Sequence, residues 1–186
     1  MKKIITVIFV IVSVFSGFLV NAQLTKIGGG IVLATGGRYL YNDLEYFNKS
    51  FGLDIRGEFD VNKKLKIVPD FQFFLPNTYN FPDGGQSKTT LFTFDLNGHY
   101  ILNPKKDFRF YFLGGAHCGG WNIKDQRTST IENEINNSAF KFDFGVNAGA
   151  GFMMKINYRL SFFAEVKYII AKTNQMMFSP GLVYDI

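Results

Sequence analysis

The sequence contains a single cysteine, Cys118, so no disulfide bond can form within the chain. After the first 22 residues, no segment is apolar enough to predict a transmembrane helix. The lysines and arginines are scattered rather than clustered, which argues against a nucleic-acid partner. The sequence also shows no spacing of residues that predicts a metal or cofactor site. The chain must therefore be held together by its own strands and core.

What the sequence has in excess is phenylalanine, tyrosine and glycine. It contains 22 Phe and 9 Tyr, and aromatic residues make up 17% of its 186 residues, alongside 19 Gly. Aromatic and glycine enrichment with little Ala or Leu favours an all-β fold over a helical one. The length favours a single domain.

The N-terminus has the three parts of a secretory signal peptide. A basic Met1-Lys2-Lys3 segment precedes an apolar run from Ile4 to Val20, and Val20-Asn21-Ala22 supplies small residues for cleavage before Gln23. We predict a signal peptide over residues 1–22 and a mature domain over residues 23–186. Cleavage of the signal peptide would remove Lys2 and Lys3 and lower the net charge from +5 to +3.

The stretch from Ala139 to Ile170 shows the clearest pattern. In residues 140–152 every even position is apolar, and the odd positions are charged, amide or glycine. The alternation resumes over residues 160–170, where Leu160 begins the apolar set. A period of two predicts β-strands with one apolar and one polar face. A dozen residues exceeds the usual ~5–6 of a globular strand and matches the ~9–11 that cross a bilayer.

The same alternation recurs along the chain and predicts eight strands. They lie at residues 26–34, 51–61, 65–75, 92–100, 108–121, 140–152, 160–170 and 176–186. Long connections (35–49, 76–88, 122–138) alternate with short turns (62–64, 103–107, 153–157), and a shorter loop lies around 173–175. This alternation is typical of a barrel with long loops at one end and tight turns at the other. At Pro69 and Pro180, within predicted strands, we expect a bulge, a strand end or a lumen-side water.

The polar faces of these strands carry mid-strand charges of both signs, Asp70 among them. Opposite charges can pair across a narrow lumen, so we predict an apolar outer face and an interior filled by ion pairs. The predicted network consists of Asp54, Arg56, Glu58, Asp95, Arg109, Lys141, Asp143, Glu165 and Lys167. Gly145, Gly149 and Gly151 are expected to make room for the long side chains of Arg56 and Arg109.

With its signal peptide, eight amphipathic strands and alternating loops, the chain resembles the small OmpA/OmpX-type outer-membrane barrels of Gram-negative bacteria. The C-terminal segment Ser179–Ile186 is similar to the β-signal of that family, with Gly181, Tyr184 and Ile186 at the motif positions. The final position holds Ile where the family pattern has Phe or Trp. The resemblance implies an eight-stranded antiparallel transmembrane β-barrel in the outer membrane. It also implies contact with outer-membrane lipid and lipopolysaccharide, recognition by the barrel-assembly machinery, and no cofactor.

Three classes of function follow from these features. The first is a non-enzymatic structural or surface barrel whose outer loops bind an unknown partner. The second is a barrel enzyme acting on lipid, similar to lipid A deacylases, for which His117 with a loop serine such as Ser129 is the visible candidate pair. The third is a soluble periplasmic barrel of lipocalin type, with the apolar face turned inward.

Two sets of loop residues have alternative interpretations. Trp121, Tyr39, Tyr41 and Tyr46 form either an adhesive surface or strand extensions above the bilayer. Asp125, Glu132 and Glu134 either bind a cation or belong to a solvated loop.

Overall fold

The computed structural model describes residues 23–35, 38–39, 50–80, 86–128 and 134–186. The predicted signal peptide, Tyr41, Tyr46, Ser129 and Glu132 lie outside the described residues, as do the side chains of Tyr39, Asp125 and Glu134. The predictions that rest on them therefore remain predictions. In the part of the chain that is described, no helix is long and apolar enough to cross a membrane.

The chain forms ten antiparallel strands. They are β1 (Gln23–Ala34), β2 (Arg38–Tyr39), β3 (Ser50–Asp60), β4 (Leu65–Phe74), β5 (Asn77–Asn80), β6 (Gln86–Ile101), β7 (Phe108–Thr128), β8 (Glu134–Lys155), β9 (Leu160–Ile170) and β10 (Thr173–Asp185).

Eight of these strands close into a barrel. They pair in the order β1-β3-β4-β6-β7-β8-β9-β10, and β1 pairs with β10 to complete the circle. The two short strands extend the sheet at one end, β2 against the start of β10 and β5 against the start of β6. The predicted all-β, eight-stranded antiparallel barrel is confirmed.

The structure corrects the predicted loops at the end where the connections are long (the long-loop end). Most of the predicted loop 122–138 is strand, because β7 runs to Thr128 and β8 starts at Glu134. In the predicted loop 76–88, β5 pairs with residues 86–89 of β6. The loop expected around 173–175 is the start of β10. Residues in these segments do not alternate between apolar and polar, so the sequence predicts loops there.

At the opposite end (the short-turn end), an asparagine organises each tight turn. The Asn62 side-chain oxygen accepts hydrogen bonds from the backbone N–H groups of Lys64 and Leu65, at 2.8 and 3.0 Å. Asn157 Oδ1 does the same for the two residues at 159 and 160. In the middle turn, Asn103 Oδ1 accepts from a backbone N–H and its amide donates to a backbone carbonyl. These are the side-chain-to-backbone bonds that favour Asn in turns.

Both in-strand prolines interrupt one ladder each. Pro69 in β4 pairs with Leu96 of β6, but the ladder between β4 and β3 has a gap beside it. Pro180 in β10 pairs with Ala164 of β9, and residues 31–32 of β1 have no partner in the β10 ladder. The register is the same on either side of each gap, so neither site has a bulge or a strand end, and the third alternative, a lumen-side water, remains a prediction. Because proline has no backbone N–H donor, one ladder has a local gap in its hydrogen bonds, and the register of the strand does not shift.

The outer and inner faces of the barrel are opposite in character. Phenylalanines of β7 and β8, such as Phe112, Phe142 and Phe144, point outward and are 57%, 55% and 70% exposed. Charged side chains of the intervening positions, such as Asp54 and Glu165, point inward and are 2% exposed. An apolar exterior around a charged interior suits a barrel surrounded by lipid. The lipocalin alternative is wrong, because it requires the reverse arrangement.

Candidate functional site

The centre of the lumen is occupied by a cluster of paired charges, which we call the central cluster. Arg56 binds Asp54 through two hydrogen bonds, Nη2 to Oδ2 at 2.7 Å and Nε to Oδ1 at 3.2 Å. Its Nη1 donates to Glu165 Oε1 across the lumen at 2.6 Å. The guanidinium also lies 3.9 Å from the centroid of the Phe163 ring. Arg56 thus joins opposite walls of the barrel through charge-assisted bonds and an aromatic face.

A second cation, Lys167, completes the central cluster. Its ammonium donates to Asp70 Oδ2 at 2.9 Å and also to Asp95. Asp95 Oδ1 in turn lies 2.6 Å from His117 Nδ1. Gln72 donates to Asp70, and Thr93 donates to Gln72. Arg56 and Lys167 therefore each bridge at least two carboxylates, an arrangement that offsets the cost of burying charge.

Apolar layers close the lumen above and below the central cluster. The layer toward the long-loop end consists of Val32, Ala34, Phe74, Leu91, Trp121, Ile169 and Met177. The layer toward the short-turn end consists of Ile101, Tyr111, Leu113, Met153, Phe163 and Val183. Side chains therefore fill the interior in three layers, of which the sequence analysis predicted only the charged one.

The structure brings five of the nine predicted network residues into the central cluster, namely Asp54, Arg56, Asp95, Glu165 and Lys167. Asp70 belongs to it as well and bridges Arg56 and Lys167. Glu58 lies lower and pairs with Lys66 at 2.9 Å, a partner that the prediction did not include.

The remaining predicted residues lie away from this centre. Arg109 lines a polar cavity of about 170 Å³ at the short-turn mouth, and its Nε donates to the carbonyl of Lys106. Asp143 accepts a hydrogen bond from the backbone N–H of Lys172 toward the long-loop end. Lys141 precedes it on the same strand and is half-buried. Charge at a polar-face position thus predicted the inward direction of these side chains but not their height in the barrel.

The glycines predicted to make room for Arg56 and Arg109 serve other neighbours. A Cβ on Gly151 would lie 2.8 Å from both the Tyr111 ring and Glu165 Cγ. At Gly145 and Gly149 it would meet the backbone of the adjacent strand β9. The prediction that these glycines accommodate Arg56 and Arg109 is therefore wrong. Closure of the barrel places Tyr111 in the space beside Gly151, where its hydroxyl donates to Glu165 at 2.7 Å.

The structure also corrects the predicted positions of His117 and Trp121. His117 was predicted as the partner of a loop serine such as Ser129, but it lies at the centre of the lumen, with 2% of its side chain exposed and bonded to Asp95. Trp121, predicted above the bilayer, is 1% exposed within the upper apolar layer. Both residues are at odd positions of β7, as is Arg109, so continuing the alternation through the glycines of this strand would have placed them inside.

The predicted C-terminal assembly residues lie on the last strand. Gly181 faces the lumen, where a Cβ would lie 2.5 Å from the Phe163 ring. Tyr184 is 40% exposed on the outer face, and its hydroxyl accepts a hydrogen bond from Arg159 at 2.8 Å. Ile186 donates its backbone N–H to the carbonyl of Thr25 at 3.0 Å, next to the closing ladder.

Among the described residues, no group of three or more His, Cys, Asp or Glu side chains is placed to hold a metal ion. Each of the central carboxylates is instead paired with a cation of the chain itself.

A closed eight-stranded barrel with an apolar exterior and a charge-filled lumen defines an integral membrane β-barrel of the outer-membrane type. Residues 8–185 match the family model of the outer membrane protein beta-barrel domain. The chain belongs to this family, and the protein is an integral protein of the outer membrane. No curated protein sequence matches the chain.

Several solved structures share this fold. Ail, the attachment invasion locus protein of Yersinia pestis, is 13% identical with a TM-score of 0.58, covering 88% of this chain and 100% of that one. Neisserial surface protein A is 12% identical with a TM-score of 0.59, covering 89% and 99%. The outer membrane protein OprG of Pseudomonas aeruginosa is 10% identical with a TM-score of 0.60, covering 89% and 97%. At these identities the likeness shows a common fold.

Proposed function

We propose that this protein is a non-enzymatic, non-conducting barrel whose function lies in the connections at its long-loop end, in a structural or surface-interaction role. The observation that carries the proposal is the three-layered filling of the lumen. An eight-stranded barrel has interior space for side chains only. The barrel is therefore an anchor, and what varies for function is the set of loops that it presents.

The absence of a pore is tested by conductance. The purified, refolded protein in a planar lipid bilayer is expected to give no steady ion current, whereas an open porin in the same bilayer gives one. A stable single-channel conductance would contradict the filled lumen.

The role of the loops is tested by trimming them. Cells lacking the protein are complemented either with the full chain or with a variant in which the connections from β1 to β3, from β4 to β6 and from β7 to β8 are each replaced by an Asn-Gly turn, which favours a tight hairpin. We expect the trimmed barrel to insert into the membrane but to lose the surface phenotype of the full chain. If the trimmed barrel restores that phenotype, the function belongs to the barrel wall and the proposal is wrong.

The alternative of a lipid-modifying enzyme has little support from the position of His117. Its imidazole is buried in the lumen against Asp95 and does not reach the outer, lipid-facing surface. A general base must lie within hydrogen-bond reach of its substrate group. His117→Ala should therefore leave the lipid A pattern of the cell unchanged, and a changed pattern would favour the enzyme.

We also propose that lipopolysaccharide surrounds the long-loop end and that the barrel-assembly machinery reads Gly181, Tyr184 and Ile186. Tyr184→Ala should lower the amount inserted in cells while leaving refolding from urea into detergent unaffected. Arg159→Gln, which removes the bond to the Tyr184 hydroxyl but keeps the ring, is the matched control and should insert normally. Equal losses for both variants would assign Tyr184 a structural role instead.

A further inference from the structure

Among the residues whose side chains the structure describes, exposed cations are more numerous at the short-turn end of the barrel than at the long-loop end. Six of them, which we call the basic rim, occupy the turns and the strand ends beside them: Lys63, Lys64, Lys105, Lys106, Lys155 and Arg159. The acidic residues of this end are largely committed to other cations. Glu58 and Asp60 both bind Lys66 at 2.9 Å, and Asp185 binds Lys26 at 2.6 Å. In the described structure, none of the six rim cations forms an ion pair.

The basic rim directly borders the apolar outer face. The outward residues next to the turns are aromatic or aliphatic, for example Tyr100, Ile156 and Tyr158, with 47%, 52% and 77% of their surface exposed. Lys64 Nζ lies 6.0 Å from the centroid of the Tyr100 ring, and the Arg159 guanidinium lies 5.5 Å from that of Tyr158. Amphipathic rings of this kind mark the level of lipid headgroups. The rim cations therefore lie at headgroup depth or just beyond it.

The rim also extends around most of the circumference. The three turns connect β3 to β4, β6 to β7 and β8 to β9. Around the closed sheet they alternate with neighbouring strands that no turn joins at this end. The fourth position is taken by the first and last strands, where Lys26 and Asp185 neutralise each other. A rim of this extent faces lipid at three of the four positions and is not confined to one patch.

We propose that the basic rim binds the phosphate groups of anionic phospholipids in the leaflet at the short-turn end, which in this family is the periplasmic leaflet. Phosphodiester headgroups at the edge of the apolar band complement unpaired ammonium and guanidinium groups in both charge and position. The inference rests on the placement in the outer membrane and is independent of what the long loops bind.

The test measures lipid selectivity at the protein surface. The refolded barrel is placed in phosphatidylcholine bilayers with a trace of spin-labelled phosphatidylglycerol or phosphatidylcholine, and electron paramagnetic resonance gives the motionally restricted fraction of each label. At low salt we expect phosphatidylglycerol to associate about two- to fivefold more strongly, since one cation near an anionic surface contributes roughly a factor of five. Salt at ~1 M should reduce the preference, because it shortens the Debye length to about 3 Å.

Two double variants with equal loss of charge locate the effect. Lys64→Gln with Lys106→Gln removes two rim cations, and Lys88→Gln with Lys124→Gln removes two exposed lysines at the long-loop end. The rim pair should lower the phosphatidylglycerol preference and the distant pair should not. If the wild-type chain shows no preference, or if the two pairs lower it equally, the proposal is overturned.

Folding and an alternative occupant are checked on the same samples. A heat-dependent shift in gel mobility confirms that each variant is folded, and the single Lys64→Gln and Lys106→Gln variants provide the comparison if the double variant does not fold. Binding of the wild-type rim to isolated peptidoglycan with no lipid preference would assign the cations to the wall polymer and overturn the lipid proposal.

Discussion

At the scale of single residues, the central cluster contains more carboxylates than permanent cations. Four acids share two cations, namely Asp54, Asp70, Asp95 and Glu165 with Arg56 and Lys167. One carboxyl oxygen each of Asp70 and Glu165 has no hydrogen-bond partner within the described residues. The cluster therefore has fewer cations than carboxylates. Removing one cation should lower the free energy of unfolding more than removing one acid does.

This asymmetry predicts the outcome of a double-mutant cycle. Lys167→Met leaves Asp70 and Asp95 without their shared cation and should lower the free energy of unfolding by about 3–5 kcal/mol. Asp70→Asn keeps the Lys167–Asp95 contact and should cost only about 1–2 kcal/mol. The double variant should lose less than the sum of the two, because both changes act on one interaction.

The measurement is urea unfolding of the refolded protein in detergent or vesicles. Lys88→Met, at an exposed site of the long-loop end, is the matched control for the loss of a lysine and should change stability little. Simple additivity of the two central substitutions would contradict the coupling.

The contribution of Gly181 to barrel packing can be tested separately from its proposed role in assembly. Gly181→Ala should destabilise the purified barrel by about 1–3 kcal/mol, since the added Cβ would lie 2.5 Å from both the Phe163 ring and the Gly29 carbonyl oxygen. Gly98→Ala is the control, because its Cβ would meet only the Gly114 carbonyl oxygen at 3.7 Å. Equal unfolding midpoints in urea would show that Gly181 matters for recognition in the cell and not for packing.

At the scale of elements, strands and turns differ in how well the sequence predicts them. The strand β9 begins and ends where the alternation of residues 160–170 predicts. The β7–β8 ladder extends beyond its predicted end, and the β5–β6 ladder lies where a loop was predicted. The residues of these hairpin extensions show no apolar alternation that would predict a strand. The short turns were predicted from Asn and Pro, and the structure gives their Asn side chains defined backbone partners.

The third turn predicts a measurable contribution of one side chain. Asn157→Ala removes an acceptor that binds two backbone N–H groups, at 2.9 and 2.8 Å, and should lower stability by about 1–2 kcal/mol. Asn157→Asp keeps the acceptor oxygens and should retain most of the stability. We would compare the urea midpoints of both variants. A turn that tolerates alanine as well as aspartate would show that the turn backbone does not depend on these bonds.

At the scale of the whole molecule, the barrel depends on the ladder between its first and last strands. β10 pairs with β9 on one side and with β1 on the other, so it is the element that closes the circle. In lipid, a strand edge without partners is costly, since no water is present to bind its polar groups. The closed state should therefore form as a unit.

Gel mobility in SDS tests this closure. The unboiled protein should run as a compact, faster band and the boiled protein as a slower one. Deleting residues 173–186 should abolish the fast band, whereas deleting Ile186 alone, which removes one terminal N–H bond, should keep it. A fast band from the chain without β10 would contradict closure through that strand.

The sequence alone determined the fold class, the eight strands of the barrel and the assignment of side chains to two faces, because a period of two is a local property of neighbouring residues. The two short strands β2 and β5 were not predicted. Only the tertiary structure decided which charges meet. Arg56 and Glu165 are 109 positions apart, and Lys167 and Asp70 are 97 apart. The stagger and closure of the whole sheet set their heights in the lumen, and no local pattern records this. For the same reason, the alternation predicted that Arg109 faces inward, and only the closed barrel showed it at the short-turn mouth.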